Sequence, residues 1–260
     1  MSKRKSDCIE QNSYLCDYYC YLIHVKLTYL YHSGFAIEGE KCTFIIDYYK
    51  DTDEQFVKHN LPHFHGRLYV LVSHWHPDHF NREILQWKQV RPDIRYVFSS
   101  DVLRKRLVNE EDAYFLKKGQ VWEDELVRIQ AFGSTDVGIS FLIEAEGKTI
   151  FHAGDLNNWH WNEESTPEEV AACERHFLRE VKLLTNKISS LDLAMFPVDS
   201  RLGKDYMLGA EQFIDRIQVR LFSPMHFGDD YAAAHEFRSY VEKTGALFAN
   251  WKAKGEQIEF

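Results

Sequence analysis

The first half of the chain alternates short apolar segments with turn residues, a pattern typical of consecutive β-strands. The segment 68–73 is apolar at every position before its final serine, which indicates a strand buried on both faces. A helical pattern follows it at residues 81–87. Strands are predicted at residues 25–31, 35–38, 42–47, 68–73, 95–98, 125–131, 139–144 and 149–151.

In the second half, apolar runs alternate with segments of helical period. Pro167, a residue tolerated in the first turn of a helix, opens a predicted helix over residues 167–186. Further helices are predicted at residues 208–217 and 231–244, and strands at residues 191–196, at residues 219–222 and at the C-terminus. This order suggests two sheets with helices packed outside them. We predict one domain over residues 23–260 and a peripheral or disordered segment over residues 1–22.

Charge and composition narrow the classes of partner. The 31 basic and 40 acidic side chains give a net charge of −9, which disfavours binding to nucleic acid or anionic lipid. No segment approaches the roughly 18 apolar residues of a membrane span, and the basic start leads into polar residues, so we expect a soluble cytoplasmic protein. The cysteines are odd in number and lack CxxC spacing, which argues against a disulfide framework. They are Cys8, Cys16, Cys20, Cys42 and Cys173.

The 13 histidines cluster in a few short segments, and one of these segments points to metal chemistry. His74, His76, Asp78 and His79 lie within six residues, directly after the buried strand 68–73. Imidazole and carboxylate groups are the usual protein ligands of zinc and of several other divalent metals. Four such groups in one loop at the end of a strand therefore predict a metal site.

The pattern His-x-His-x-Asp-His after an apolar strand resembles the metallo-β-lactamase superfamily. Asp47, Asp155 in a Gly-Asp pair and His226 match further positions of that family's motifs, and the resemblance spans about residues 25–230. Segments 31–35 and 151–155 are similar to the branch that contains the L-ascorbate-6-phosphate lactonases. The resemblance implies an α+β fold, a four-layer αββα sandwich of one domain.

The same resemblance implies a site for two adjacent metal ions. One position would take His74, His76 and Asp155, and the other would take Asp78, His79, Asp155 and His226. Asp155 would bridge the two ions. Asp47 would not bind metal itself but would accept a hydrogen bond from one of the ligating histidines. Where the family has another histidine, residues 132–138 contain none.

Asp136 is the nearest candidate for a substitute ligand. Its oxygen donor would shift the preference from zinc toward manganese, iron or magnesium, although an aspartate in a Gly-Ser-Thr-Asp turn is also an ordinary turn residue. The sequence is therefore compatible with a binuclear site, a mononuclear site or a substituted site that holds one or two divalent ions of zinc, manganese or iron.

The function that the resemblance implies is a metal-dependent hydrolase in which a metal-activated hydroxide attacks a small lactone, ester, amide or phosphoester. Asp78 is the candidate catalytic residue, since it could bind metal and orient the nucleophile or accept its proton. Trp159, His160 and Arg201 are candidates for substrate binding. The alternatives are a nuclease or phosphodiesterase of the same superfamily and a metal-binding protein without turnover. The sequence is compatible with a homo-oligomer and does not determine the oligomeric state.

Overall fold

The computed structural model describes residues 25–260 of the chain. The predicted segment 1–22, with Cys8, Cys16 and Cys20, lies outside the described residues. Within residues 25–260, two seven-stranded mixed sheets pack face to face, and helices cover their outer faces. The predicted four-layer sandwich of a single domain is confirmed.

The first sheet has the strand order β14-β1-β2-β3-β4-β5-β6. Strands β3 to β6 pair in parallel, and β1 runs in the same direction because it and β3 are both antiparallel to β2. The strands are β1 (Lys26–Tyr31), β2 (Gly34–Glu38), β3 (Cys42–Ile46), β4 (Arg67–Val72), β5 (Arg95–Ser99), β6 (Tyr114–Leu116) and β14 (Gln257–Glu259).

The second sheet has the order β13-β12-β11-β10-β9-β8-β7 and is parallel from β10 to β13. Antiparallel hairpins join β7 to β8, β8 to β9 and β9 to β10. Its strands are β7 (Val121–Glu123), β8 (Val127–Gly133), β9 (Ile139–Ala145), β10 (Lys148–His152), β11 (Ser190–Pro197), β12 (Gln218–Met225) and β13 (Leu247–Phe248).

Six α-helices and two short 3-10 helices connect the strands within residues 25–260. The longest, α3, starts with a capping box in which Thr166 and Glu169 satisfy each other's backbone N–H groups, next to Pro167 in the first turn. The α-helices are α1 (Phe56–Asn60), α2 (Ser100–Arg104), α3 (Pro167–Thr185), α4 (Leu208–Ile214), α5 (Tyr231–Glu236) and α6 (Arg238–Lys243), and the 3-10 helices are Arg82–Gln89 and Ser200–Leu202.

Alternation along the strands of the first sheet divides the apolar residues between two cores. Along β4, Tyr69 and Leu71 face the second sheet, whereas Val70 and Val72 pack under α1, α2 and the 3-10 helix Arg82–Gln89. Both faces of β4 are thus buried, as its continuous apolar run predicts. No helix within residues 25–260 is both long and apolar enough to cross a bilayer.

The structure differs from the predicted elements mainly in short segments. Helices α1 and α2 and strands β6, β7 and β13 were not predicted, because two to five residues are too few to establish a period. The predicted helix 81–87 is a 3-10 helix, and the predicted helix 231–244 divides into α5 and α6 at the fully buried Phe237.

Candidate metal centre

The candidate site lies at one edge of the sandwich, where strands of both sheets end. The histidine loop follows β4, and Asp47 follows β3, in the first sheet. Asp155 follows β10 and His226 follows β12 in the second sheet. Because these strands are parallel within each sheet, their carboxyl ends meet at the same edge. The structure brings the six predicted metal ligands together at this edge: His74, His76, Asp78, His79, Asp155 and His226.

Asp155 lies at the centre of the cluster, with its two carboxylate oxygens facing different histidines. Oδ2 is 3.3 Å from Nε2 of His74, while Oδ1 is 3.2 Å from Nε2 of His79 and 3.3 Å from Nε2 of His226. Its side chain is only 7% exposed. This orientation allows one carboxylate to serve two neighbouring ions.

The potential ligand atoms form two groups, within each of which all the atoms lie within 4.8 Å of one another. The first position consists of His74, His76 and Asp155, and the second position consists of His32, Asp78, His79 and His226. His32 is an addition that the sequence did not predict as a ligand.

The histidines that face Asp155 are held through their other ring nitrogen. Nδ1 of His79 donates to Asp47 at 2.7 Å, and Nδ1 of His226 donates to Asp199 at 2.9 Å. Nδ1 of His74 lies 3.0 Å from the hydroxyl of Ser73, which itself donates to Asp47 at 2.6 Å. These bonds orient each ring so that Nε2 faces Asp155 at the centre of the site, which is the arrangement that metal-ligating histidines show.

The electrostatics of the site favour cations. Burial alone would raise the pKa of Asp155, but His79 and His226 outweigh burial and lower this pKa well below its usual value. Burial alone would lower the pKa of His79, but the carboxylates of Asp155 and Asp47 outweigh burial and raise this pKa well above its usual value. Burial lowers the pKa of His32 to about 4, so this ring is neutral at pH 7.

Three buried polar atoms of the site lack a hydrogen-bond partner among the described residues: Nε2 of His32, Nε2 of His79 and Oδ1 of Asp155. Buried polar atoms are rarely left without a partner. A divalent cation accepts lone pairs from both imidazole and carboxylate groups and would satisfy all three atoms. The residues present therefore fit a metal centre.

The loop between β8 and β9 places Asp136 beside the first position. Its Oδ2 is 3.6 Å from Nδ1 of His76, and its side chain is 46% exposed. The loop approaches the histidine loop closely because Gly138 lies there at φ +81°, where a Cβ atom would lie 2.2 Å from the carbonyl oxygen of Ser73. Thr135 ties the same loop to the segment after Asp155 by accepting a hydrogen bond from the backbone N–H of Asn157.

A cavity of about 350 Å³ opens over the ligands, and Trp159, Arg201 and Asp78 are among its lining residues. The indole of Trp159 donates to the carbonyl oxygen of Asp155 at 2.8 Å, which fixes the ring at the cavity wall. Arg201 is bonded through Nε to Asp199 at 2.9 Å, and its side chain is 63% exposed at the mouth. A second cavity of about 380 Å³ shares Asp78, Arg201 and His226 with the first.

The structure places His160 away from the cavity in which it was predicted to bind substrate. The residue is buried, Nε2 contacts the carbonyl oxygen of Asp205 at 3.1 Å, and Nδ1 accepts from the backbone N–H of Asn162 at 3.2 Å. It is not among the residues that line the 350 Å³ cavity. Because both ring nitrogens are used, His160 orders the loop after β10 and has none left for a substrate.

Two residues of the site were missed as functional positions. The sequence predicts only that Asp199, like Arg201, follows a strand and could face the pocket, and it predicts no ligand role for His32. Each stands alone in sequence, so no local spacing marks it; the only available signal is its place after the end of a strand, β11 for Asp199 and β1 for His32.

The fold and the paired ligand groups define a metallohydrolase of the metallo-β-lactamase type. Residues 26–170 match the family model described as the beta-lactamase superfamily domain, and the chain belongs to this superfamily. The prediction of the superfamily, and of an enzyme of its metal-dependent hydrolase class, is therefore confirmed.

Curated relatives carry the description UPF0173 metal-dependent hydrolase. One from Pelotomaculum thermopropionicum is 24% identical over 257 residues, which cover 90% of this chain and 100% of the relative. Another, from Symbiobacterium thermophilum, is 26% identical over 236 residues, which cover 85% of this chain and 94% of the relative.

Solved structures show the same fold. The metallo hydrolase Igni18 of Ignicoccus hospitalis superposes with a TM-score of 0.63 at 19% identity, over 91% of this chain and 98% of that one. The diiron β-hydroxylase CmlA of Streptomyces venezuelae superposes with a TM-score of 0.62 at 13% identity, over 92% of this chain and 54% of that one.

Proposed function

We propose that the protein hydrolyses a small molecule, a lactone, ester, amide or phosphoester, with one or two divalent metal ions. The observation that carries this proposal is the orientation of Asp155, whose two oxygens face the imidazoles of both positions beside a cavity of about 350 Å³. His74, His76 and Asp155 would hold one ion, with Asp136 as the substitute for the missing histidine.

The second ion would be held by Asp78, His79 and His226, with Asp155 shared. Divalent ions in such a site supply a hydroxide nucleophile at neutral pH and polarise the oxygen of the scissile bond. Asp78 is the candidate to orient the attacking water and accept its proton, because its carboxylate is 40% exposed and lines both cavities. Asp47 and Asp199 fix the histidine rings during this step.

The cavity favours a small molecule over a polynucleotide. Its volume falls within the range of about 300–1,000 Å³ that is usual for small-molecule sites. Trp159 and Trp161 give it an apolar wall, and Arg201 offers a cation for a carboxylate or phosphate. The net charge of −9 would repel a polyanion at long range. A lactone, the bond suggested by the resemblance to the L-ascorbate-6-phosphate lactonases, is the first substrate to test.

The metal preference that we propose follows from the donor atoms. Asp136 would add a carboxylate oxygen to a position that has two imidazoles, and oxygen donors favour manganese and iron relative to zinc. Manganese and iron should therefore be tried beside zinc.

The test combines metal counting with a substrate panel. The purified chain is analysed for metal as isolated and after incubation with zinc, manganese or iron, and then assayed on lactones, esters, amides, phosphomonoesters, a phosphodiester and a single-stranded oligonucleotide. We expect two ions per chain and turnover of a small-molecule bond. His226→Ala should abolish turnover, whereas His63→Ala, which changes an exposed histidine, should not.

The other outcomes decide between the alternatives. Cleavage of the oligonucleotide alone would indicate a nuclease, and metal bound without turnover on the whole panel would indicate a binding protein. A chain that binds no metal under any of these conditions would contradict the proposal.

A further inference from the structure

His32 enters the site from the turn between β1 and β2. It follows the last residue of β1 and is 8% exposed. Its backbone has a φ of +58°, a left-handed conformation that residues other than glycine and asparagine rarely adopt. This conformation turns the imidazole toward the histidine loop, where Nε2 lies 3.3 Å from Oδ2 of Asp78.

The backbone holds His32 and His226 together. The N–H of His226 donates to the carbonyl oxygen of His32 at 3.0 Å, and the two ring centroids are 4.1 Å apart. His226 also has a positive φ, of +66°. The N–H of His32 donates to the hydroxyl of the buried Tyr29 at 2.9 Å. Such conformations persist where the surroundings impose them, and they concentrate at functional sites.

Nothing within residues 25–260 satisfies the Nε2 atom of His32. It is buried, and the approach to Asp78 lacks hydrogen-bond geometry. The ligand atoms of His32, Asp78, His79 and His226 nevertheless all lie within 4.8 Å of one another. Ligands that each lie about 2.0–2.2 Å from one ion are separated by up to roughly twice that distance, so this spacing suits a shared ion.

We propose that His32 is a further ligand of the second metal position. This inference rests on the proposed function only in that the site holds metal. The second position then has three imidazoles, the carboxylate of Asp78 and one oxygen of Asp155, whereas the first position has two imidazoles, of His74 and His76, and the other oxygen of Asp155. The two positions are therefore unequal, and the second position fills first.

The test uses the full chain stripped of metal. His32→Asn keeps a residue that tolerates a positive φ, while its amide is too short to replace the imidazole. His63→Asn, at an exposed histidine, is the matched control. Zinc and cobalt(II) are titrated against a chelating dye, and the visible spectrum of the cobalt protein is recorded. We expect the tighter of two binding steps to weaken at least about 10- to 100-fold in His32→Asn, with a changed cobalt spectrum.

A second measurement needs no variant. With one cobalt(II) ion per wild-type chain, ¹H NMR should show strong paramagnetic shifts for three histidine rings. Two shifted rings, or a folded His32→Asn chain with wild-type affinity and cobalt spectrum, would overturn the assignment of His32. In either case a wild-type chain that binds metal and turns over a substrate leaves the proposed function intact. A wild-type chain that binds no metal would contradict both the assignment of His32 and the proposed function.

Discussion

Asp47 fixes two neighbouring parts of the site at once. Its Oδ1 accepts the N–H of Ser73, and its Oδ2 accepts both the Ser73 hydroxyl and Nδ1–H of His79. Burial would raise the pKa of Asp47, but His79 and His152 reverse this effect and lower it. The residue stays ionised at neutral pH, and by accepting from Nδ1–H it orients the His79 ring so that Nε2 faces Asp155.

Asp47→Asn should weaken metal binding without removing a ligand. The amide cannot accept all the hydrogen bonds that the carboxylate accepts, so the His79 ring loses its fixed orientation. We expect metal affinity to fall by about 10- to 100-fold, measured by competition with a chelating dye. Asp192→Asn is the control, because this carboxylate of β11 accepts the backbone N–H of Thr149 at the opposite end of the sheet from the site. Equal affinities in wild type and Asp47→Asn would show that Asp47 does not act through His79.

Arg201→Gln tests whether the exposed guanidinium selects charged substrates. The variant removes a cation that borders both cavities. A charge-assisted hydrogen bond contributes about 1.5–3 kcal/mol, so KM for a phosphorylated or carboxylated substrate should rise roughly tenfold or more. A neutral ester of similar size is the internal control, and metal content is measured because Arg201 also contacts Asp199. The same KM change for both substrates would argue against a role in charge selection.

At the scale of elements, the hairpin turn between β9 and β10 joins the two sheets at the edge opposite the site. Glu146, at φ +50° in this turn, accepts hydrogen bonds from the backbone N–H groups of Glu40, Lys41 and Cys42 at 2.9, 2.9 and 3.0 Å. Glu40 and Lys41 lie in the turn between β2 and β3 of the other sheet, and Cys42 is the first residue of β3. One carboxylate of the second sheet thus satisfies three backbone N–H groups of the first sheet.

Glu146→Gln should lower stability in a pH-dependent way. Burial would raise the pKa of Glu146, but the backbone N–H donors lower it below its usual value. A lowered pKa means that the ionised group stabilises the fold above about pH 4.5, and that this contribution is lost as the pH falls through the folded pKa. We expect a loss of about 1–3 kcal/mol at pH 7 by urea unfolding, shrinking below pH 4. Glu110→Gln, at an exposed position, should show no such loss. A difference that is independent of pH would contradict the charge-based explanation.

The sequence predicts the long elements and the clustered ligands because both carry a local signal. Strand β4 is a continuous apolar run, and four potential ligands follow it within the six residues 74–79. Asp199 and His32 have no such signal, because they join the site only through strand pairing and the packing of one sheet on the other. His160 shows the converse: its neighbours suggest a substrate contact, but its two ring nitrogens are both used by the backbone.

At the scale of the whole molecule, the candidate ligands are divided between the sheets. His74, His76, Asp78 and His79 belong to the first sheet's edge, whereas Asp155 and His226 belong to the second. The acidic and imidazole groups face one another across this boundary, and three of their buried atoms lack hydrogen-bond partners within residues 25–260. An ion bound there would link the two sheets, so metal binding and folding should be coupled.

Metal should therefore raise the thermal stability of the whole domain. An ion that binds only the folded chain contributes about 2.7 kcal/mol at a free concentration of 100 times its Kd, which for a domain of this size shifts Tm by roughly 5–10 °C. Tm is measured by calorimetry for the stripped chain, for the chain with zinc or manganese and after addition of a chelator. His226→Ala removes the ligand from the second sheet and should lose most of the rise, whereas His63→Ala should keep it. If saturating metal leaves the wild-type Tm unchanged while titration shows that the ion binds, the ion binds the unfolded chain as tightly as the folded one. That result would contradict a site that links the sheets and would indicate ligands from the histidine loop alone.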